Sequence, residues 1–376
     1  MKAPGNAVLL VLVVAGAIAL ASLGFVAHAP NRLVSGTPLT LWQAAGAPRA
    51  ATIAALGAAL LAAAFPAPGR RLGGATLVVA SLLLLLLIES AGAAAASLAA
   101  GAPKAARTAL GPAFWIAGLC IAFAVLDALQ RLAAGPALRL GTVAALVALA
   151  AALTLSGRLD QLSLLREFAN ERADFLGELL RHCELVAGAV VPALLIGIPV
   201  GLLAAQRERS RAPIFAALNV VQTIPSIALF GLLIAPLAAL GVGGIGMAPA
   251  LIALTLYALL PVARNTLAGL LGVDPAVIES AAGMGMTRRQ IFWRVELPLG
   301  MPVLLAGVRV VVVQAIGLAV VAALVGAGGL GSFVFRGIGQ YAIDLVLLGA
   351  LPAIALALAA DFAMALAIDW LGRRAR

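Results

Sequence analysis

Three carboxylates stand inside long apolar runs: Glu89, Asp127 and Asp361. A carboxylate in hydrocarbon is costly, so such residues are functional candidates by default, as members of an ion or proton relay. A relay would make the chain an ion-coupled secondary transporter. The three acids stand in separate runs without a matching set of partners, which weighs against it. Arg309 lies in a fourth run, where it can pair with one of the acids or snorkel inward. Gln222, Thr223, Ser226 and Gln314 are also embedded in apolar sequence. They can line an aqueous route or supply hydrogen bonds between helices. Gln222 falls about 15 Å into its run, near the middle of a bilayer, and Pro225 removes a backbone bond just beyond it.

Other patterns carry less chemistry. Cys120, Cys183, His28 and His182 show no zinc-ligand spacing, and no disulfide framework is expected. Gly326-Ala-Gly-Gly-Leu-Gly331 matches G-x-G-x-x-G, but it follows an apolar run rather than a strand of a soluble βαβ unit. It reads instead as a tight outer gate or re-entrant turn built on Gly326, Gly328, Gly329 and Gly331. No Walker A pattern or nucleophile–base pair occurs, so no cofactor is expected in this chain.

The most informative segment is the polar loop 274–298. Asp274 is placed to cap a short helix with Pro275 at its first position. Gly285 is suited to the left-handed turn that ends it. Thr287, with Gln290 three residues on, forms a capping box for a second helix, and Met286 with Ile291 can staple it. Pro298 is expected to stop that helix. Such a loop is a folded object rather than a tether.

The same loop reads Glu279-Ser-Ala-Ala-Gly-Met-Gly285, nine residues, then Val295-Glu-Leu-Pro298. This closely resembles the EAA-loop pattern E-A-A-x3-G-x9-I-x-L-P of ATP-binding cassette (ABC) importer permeases, with Ser280 for Ala and Val295 for Ile. The resemblance implies a coupling helix that docks in a groove of a cytoplasmic ATPase. Ser280, Ala281 and Ala282 would permit close approach, Glu279 would pair with a basic rim, and Gly285 would make the turn. Thr287, Leu297 and Pro298 complete that loop. Gln222-Thr-Ile-Pro-Ser-Ile-Ala, Ala306-Gly-Val-Arg309 and Gly326–Gly331 further resemble the osmoprotectant permeases for glycine betaine, choline and proline betaine. That likeness covers about residues 180–376, and the extra N-terminal half resembles the layout of a YehY-type subunit. It implies a type I importer core of five helices. The implied partners are a dimeric ABC ATPase, a second permease subunit (identical or a shorter paralogue) and an external substrate-binding protein.

The elements that must position these residues follow from composition. Of 376 residues, 64% are apolar and 11% charged, and the mean hydropathy is +1.13. A soluble domain is nearer half apolar and a quarter charged. A soluble enzyme is excluded, and long unbroken apolar runs argue against a β-barrel. The expectation is an all-α polytopic membrane protein. Ten spans are predicted: about 6–27, 50–66, 72–90, 109–130, 140–157, 185–205, 213–234, 246–270, 299–325 and 345–370. The first mimics a signal peptide, with Lys2 before it and Ala27-His28-Ala29 after it, but is too long for one and reads as a retained helix.

The net charge of +10 is explained by lysine and arginine on one side of a membrane rather than by nucleic acid. Counting inward loops from Lys2 through Arg70, Arg71, Arg131, Arg139, Arg207, Arg209, Arg288 and Arg289 to Arg376 puts both termini in the cytoplasm of a bacterial inner-membrane protein. Three regions result: an accessory five-span region 1–157, an external amphipathic connector 158–184, and a permease core 185–376. The first region carries no recognisable motif.

Overall fold

The computed structural model describes residues 5–32, 34–67 and 69–374, so the inward charges assigned to Lys2 and Arg376 lie outside the described residues. The chain divides into two compact units, Met1–Asn170 and Glu171–Arg376. Among the described residues, eight helices are long and apolar enough to cross a membrane, and a sharply bent pair makes a ninth. The tenth expected span is α1 (Ala7–Ser22), whose 16 residues rise only about 24 Å.

In the first unit α1 is followed by β1 (Val26–Ala29), β2 (Thr37–Leu39), α2 (Leu41–Ala63), α3 (Arg70–Ala99), β3 (Arg107–Leu110), α4 (Pro112–Arg131), α5 (Pro136–Leu155) and α6 (Ser163–Asn170). The fold is all-α as expected, with one small addition: a three-stranded antiparallel sheet in the order β2-β1-β3. Its strands are three or four residues long, too short for a periodic signal. Ala27-His28-Ala29, the apparent cleavage site, forms part of the central strand, paired on both sides. Helix α2 begins nine residues before its expected span because Thr40 and Gln43 form a capping box, and it breaks at Gly46 ahead of Pro48. The core is built mostly of Ala and Leu from α1 to α4, with Phe25 and Phe114 packed 5.9 Å apart beneath the sheet.

The second unit contains α7 (Arg172–Gln206), α8 (Glu208–Thr223), α9 (Ser226–Ala239), α10 (Met247–Leu271), α11 (Pro275–Gly283), α12 (Arg288–Ile291), α13 (Leu297–Val321), α14 (Gly331–Gly339) and α15 (Ile343–Arg374). Helix α10 is the most buried span and packs between α7 and α13. Its approach to α13 is set by glycine: a Cβ on Gly269 would lie 2.7 Å from the Gly300 carbonyl oxygen, and one on Gly300 2.6 Å from that of Gly269. Small residues at such a crossing let backbones touch, which replaces the missing hydrophobic drive in lipid.

Residues 158–184 are not one connector helix. Ser163–Asn170 form α6 in the first unit, whereas 172–184 are the first turns of α7. At 35 residues α7 is about 52 Å long, well beyond a hydrocarbon core of about 30 Å. Its polar start must therefore project from the membrane.

Candidate functional site

Helix α11 starts where Asp274 Oδ1 accepts the Ala276 N–H at 2.9 Å. It ends in a closed turn: the Gly285 N–H donates to the Ala282 carbonyl and the Met286 N–H to that of Ala281, at 2.9 and 3.2 Å. Gly285 has φ +83°, the left-handed conformation this pair of bonds demands. Thr287 Oγ1 then accepts the Gln290 N–H, while Gln290 Oε1 accepts the Thr287 N–H, the reciprocal cap of α12. Ala281 and Ile291 are buried and anchor the two helices. Glu279, Ser280 and Ala282 are exposed, as are Met284 and Trp293. Ser280 donates its hydroxyl to the Ala276 carbonyl, so it presents little free polarity.

Pro298 does not stop the second helix. A π-helical turn, Phe292–Glu296, carries α12 straight into α13. There the Leu297 N–H bonds back to Phe292, one residue further than in an α-helix. The wider turn accommodates Pro298, which has no N–H of its own, in the first turn of α13. Arg288 and Glu296 bracket the turn at 3.6 Å. Glu279, Arg288, Phe292 and Glu296 line a cleft of about 620 Å³ against the ends of α7 and α10. The loop is thus joined continuously to α13 at one end and exposes a small-residue surface at the other.

At the expected kink of the seventh span the chain bends by 98° between α8 and α9. Gln222 Nε2 donates to the Tyr257 carbonyl at 2.6 Å, and the Tyr257 hydroxyl donates to the Ile224 carbonyl. These two bonds clasp the broken backbone around Pro225 to α10. Thr223 donates to Val220 within its own helix. Ser226 opens α9 half-buried, and Gln314 sits half-buried on α13.

The glycine run forms a left-handed turn at Gly326, Gly328 and Gly329, with φ of 77°, 80° and 83°. Gly331 opens α14 with no room for a Cβ, which would lie 2.0 Å from the Val320 carbonyl oxygen. The start of α7 holds this turn. Glu178 Oε2 accepts the Gly329 N–H at 2.5 Å and the Ser332 hydroxyl at 3.3 Å. Arg181 donates to the Ala327 carbonyl, and buried His182 bonds the Ile316 carbonyl through Nε2. Arg336 pairs with Glu171 at 2.9 Å. Glu178, Arg181 and His182 are the site residues that sequence reasoning missed. Their amphipathic spacing was legible, but nothing local signals a partner about 150 residues away.

Each intramembrane acid has an arginine. Glu89 meets Arg49 at 3.2 Å, Asp127 meets Arg131 at 2.9 Å and also accepts from Asn6, and Asp361 takes both ends of the Arg309 guanidinium.

Comparison with known proteins accounts for both units. The family described as binding-protein-dependent transport system inner membrane component matches residues 197–376. The family described as ABC transporter permease YehY, N-terminal domain, matches residues 4–165. A carnitine transport permease, OpuCB of Listeria monocytogenes, is 39% identical over 52% of this chain and 88% of its own length. The chain belongs to the binding-protein-dependent ABC importer permeases. The osmoprotectant import permease OsmW of Salmonella typhimurium is 42% identical over 51% of this permease and 89% of its own chain. The solved MetNI methionine ABC transporter matches at 26% identity and a TM-score of 0.47, over 52% of this permease and 95% of that chain. The permease is therefore a multi-pass transport subunit of the inner membrane, and not an enzyme, since the ATPase of such importers is a separate subunit.

Proposed function

We propose that this permease forms half of the translocation path of an osmoprotectant importer and that loop 274–298 couples it to the ATPase. The observation that carries the coupling role is the loop's build: two reciprocally capped helices, exposed Glu279, Ser280 and Ala282, and a continuous π-to-α junction into α13. A partner that moves α11 moves a pore helix with it. ATP and Mg²⁺ would be held by that cytoplasmic ATPase dimer. A second permease subunit, identical or shorter, would complete the pore, and an external binding protein would deliver the substrate.

The substrate class rests on relatives named for carnitine, choline and glycine betaine. Quaternary-ammonium recognition by an aromatic cage belongs to the binding protein, since this chain is only 5% aromatic. Gln314 and Ser226 line the route in this reading, with Thr223 at the α8–α9 break. Gly326–Gly331, clamped by Glu178, forms the outer gate, and both termini face the cytoplasm. An ion-coupled carrier would need a carboxylate free to exchange its ion, whereas Glu89, Asp127 and Asp361 are each held by a guanidinium.

The test is co-purification with the ATPase and uptake of glycine betaine by the assembled importer. Glu279→Ala should lower uptake a few-fold, because one exposed charge pair is lost without a backbone change. Reporter fusions after Arg209 and Arg289 should read as cytoplasmic, and fusions after Thr40 and within 160–170 as external. An external signal at Arg289 would overturn the coupling role.

A further inference from the structure

Arg309 and Asp361 form a two-pronged ion pair, with Nη2 2.6 Å from Oδ2 and Nε bonded to Oδ1. Two independent counts place it in mid-membrane. Arg309 lies eleven residues beyond Pro298 on α13, and Asp361 nine residues before Trp370 on α15. At 1.5 Å per residue these are about 16 and 14 Å from the inner interface. Yet 38% of the Arg309 side chain and 40% of the Asp361 side chain are exposed.

An ion pair open to this degree cannot face hydrocarbon, where each charge costs several kcal/mol even when paired. It must face water or another chain. Its surroundings leave space beside it: Ala306, one turn before Arg309, is small and exposed, and Leu358, one turn before Asp361, is 66% exposed. The pair offers a guanidinium and a carboxylate side by side. A ligand complementary to both carries a carboxylate and an ammonium a few ångströms apart.

We infer that Arg309 and Asp361 form a transit site for zwitterions in the aqueous route of the permease. The site rests on the osmoprotectant reading given above and deepens it. The substrate carboxylate takes the fork of Arg309 while its quaternary ammonium lies against Asp361, so the pair opens for the substrate and recloses behind it. Because closed and open forms each keep both charges compensated, passage avoids stranding a bare charge in the membrane. A cation without a carboxylate, such as choline, has no group for Arg309 and lies against the exposed side of Asp361 without displacing the guanidinium.

The test uses the full importer with its binding protein and ATPase in proteoliposomes, with glycine betaine and choline as probes. Delivery saturates at the binding protein, so the readout is the maximal uptake rate. Arg309→Gln should lower the glycine betaine rate relative to choline by about tenfold, the loss of one charge-assisted contact. Asp361→Asn should lower both. A purely structural pair would move both substrates in parallel in both variants, and that result overturns the site.

Since either variant can fail to insert, a second measurement leaves the pair intact. Ala306→Cys and Leu358→Cys, each in a chain with Cys120 and Cys183 replaced by Ala, should react with a membrane-impermeant thiol reagent and be protected by glycine betaine. Unreactive cysteines that instead form a disulfide between two copies would place this face at a subunit interface and refute the inference. Failure of the coupling reading is separate: it would appear as normal uptake in Gly285→Asp, whatever the thiols do.

Discussion

Asp127 and Asp361 are both intramembrane carboxylates paired with arginine, one in each unit, and they differ in what surrounds them. Asp127 is 12% exposed, and Asn6 closes a three-way network by donating to it while accepting from Arg131. Asp361 and Arg309 are bonded to each other, with the charge of Asp369 also acting on the guanidinium, and both stand open. The same contrast recurs across the units. In the first, Arg166 and Arg107 spend their donors on backbone carbonyls of 104–106, and the sheet ties α1 to α4. In the second, the loop 274–298 exposes Met284 and Trp293, and the Arg309 and Asp361 side chains are 38% and 40% exposed. The Asp127 network is closed within its own unit, whereas the Arg309–Asp361 pair is left open. A buried charge is informative about function chiefly when its compensation is left open.

The largest effect that sharpens this contrast belongs to Gly285→Asp, which should abolish uptake while the chain stays inserted. A Cβ at Gly285 meets nothing within 4 Å, so the cost is the left-handed backbone, roughly 1 kcal/mol or more, plus a carboxylate at the ATPase contact. Gly285→Asn, which tolerates that backbone and adds no charge, should retain substantial uptake. Equal loss in both would assign the effect to side-chain bulk rather than to charge.

Glu178→Ala comes next. It leaves the Gly329 N–H without its acceptor, a loss of about 1–3 kcal/mol at the outer turn. Uptake should fall several-fold with ATPase co-purification unchanged. Loss of co-purification would show that the outer turn supports the whole unit. Gly326→Ala should behave similarly and more weakly, since its Cβ would press on Ile245 at 3.1 Å.

Asp127→Asn breaks the comparison from the other side. The self-completed network should lose about 1 kcal/mol of stability, seen as a lower thermal midpoint, with uptake unaltered. A transport defect without destabilisation would make the first unit part of the path. The smallest expected change is in a chain begun at Gly157 with a supplied start, which should still co-purify with the ATPase. Loss of binding by a fragment that still inserts would mean that the coupling loop depends on the N-terminal half.

Much of this protein is written locally. The spans follow from apolar runs against a fixed bilayer thickness. The caps at Asp274 and Thr287 and the turn at Gly285 follow from residue chemistry within four positions, and the structure forms each of them. The loop's likeness to the EAA pattern was legible for the same reason, because a short motif with fixed spacing needs no distant partner.

Other features were decided only by the tertiary structure. Strands of three or four residues exist because α1, α2 and α4 bring them together, not because their sequences alternate. Pro298 ends nothing, since a π turn shifts the hydrogen-bond register before it. Which arginine neutralises Glu89 and Asp361, and that Glu178 rather than water holds the glycine turn, depend on contacts across 40 to 151 positions. Sequence determines what a residue can offer over one turn of helix. Only packing decides which distant group accepts it, because in a medium without water every polar group must find its partner in the fold.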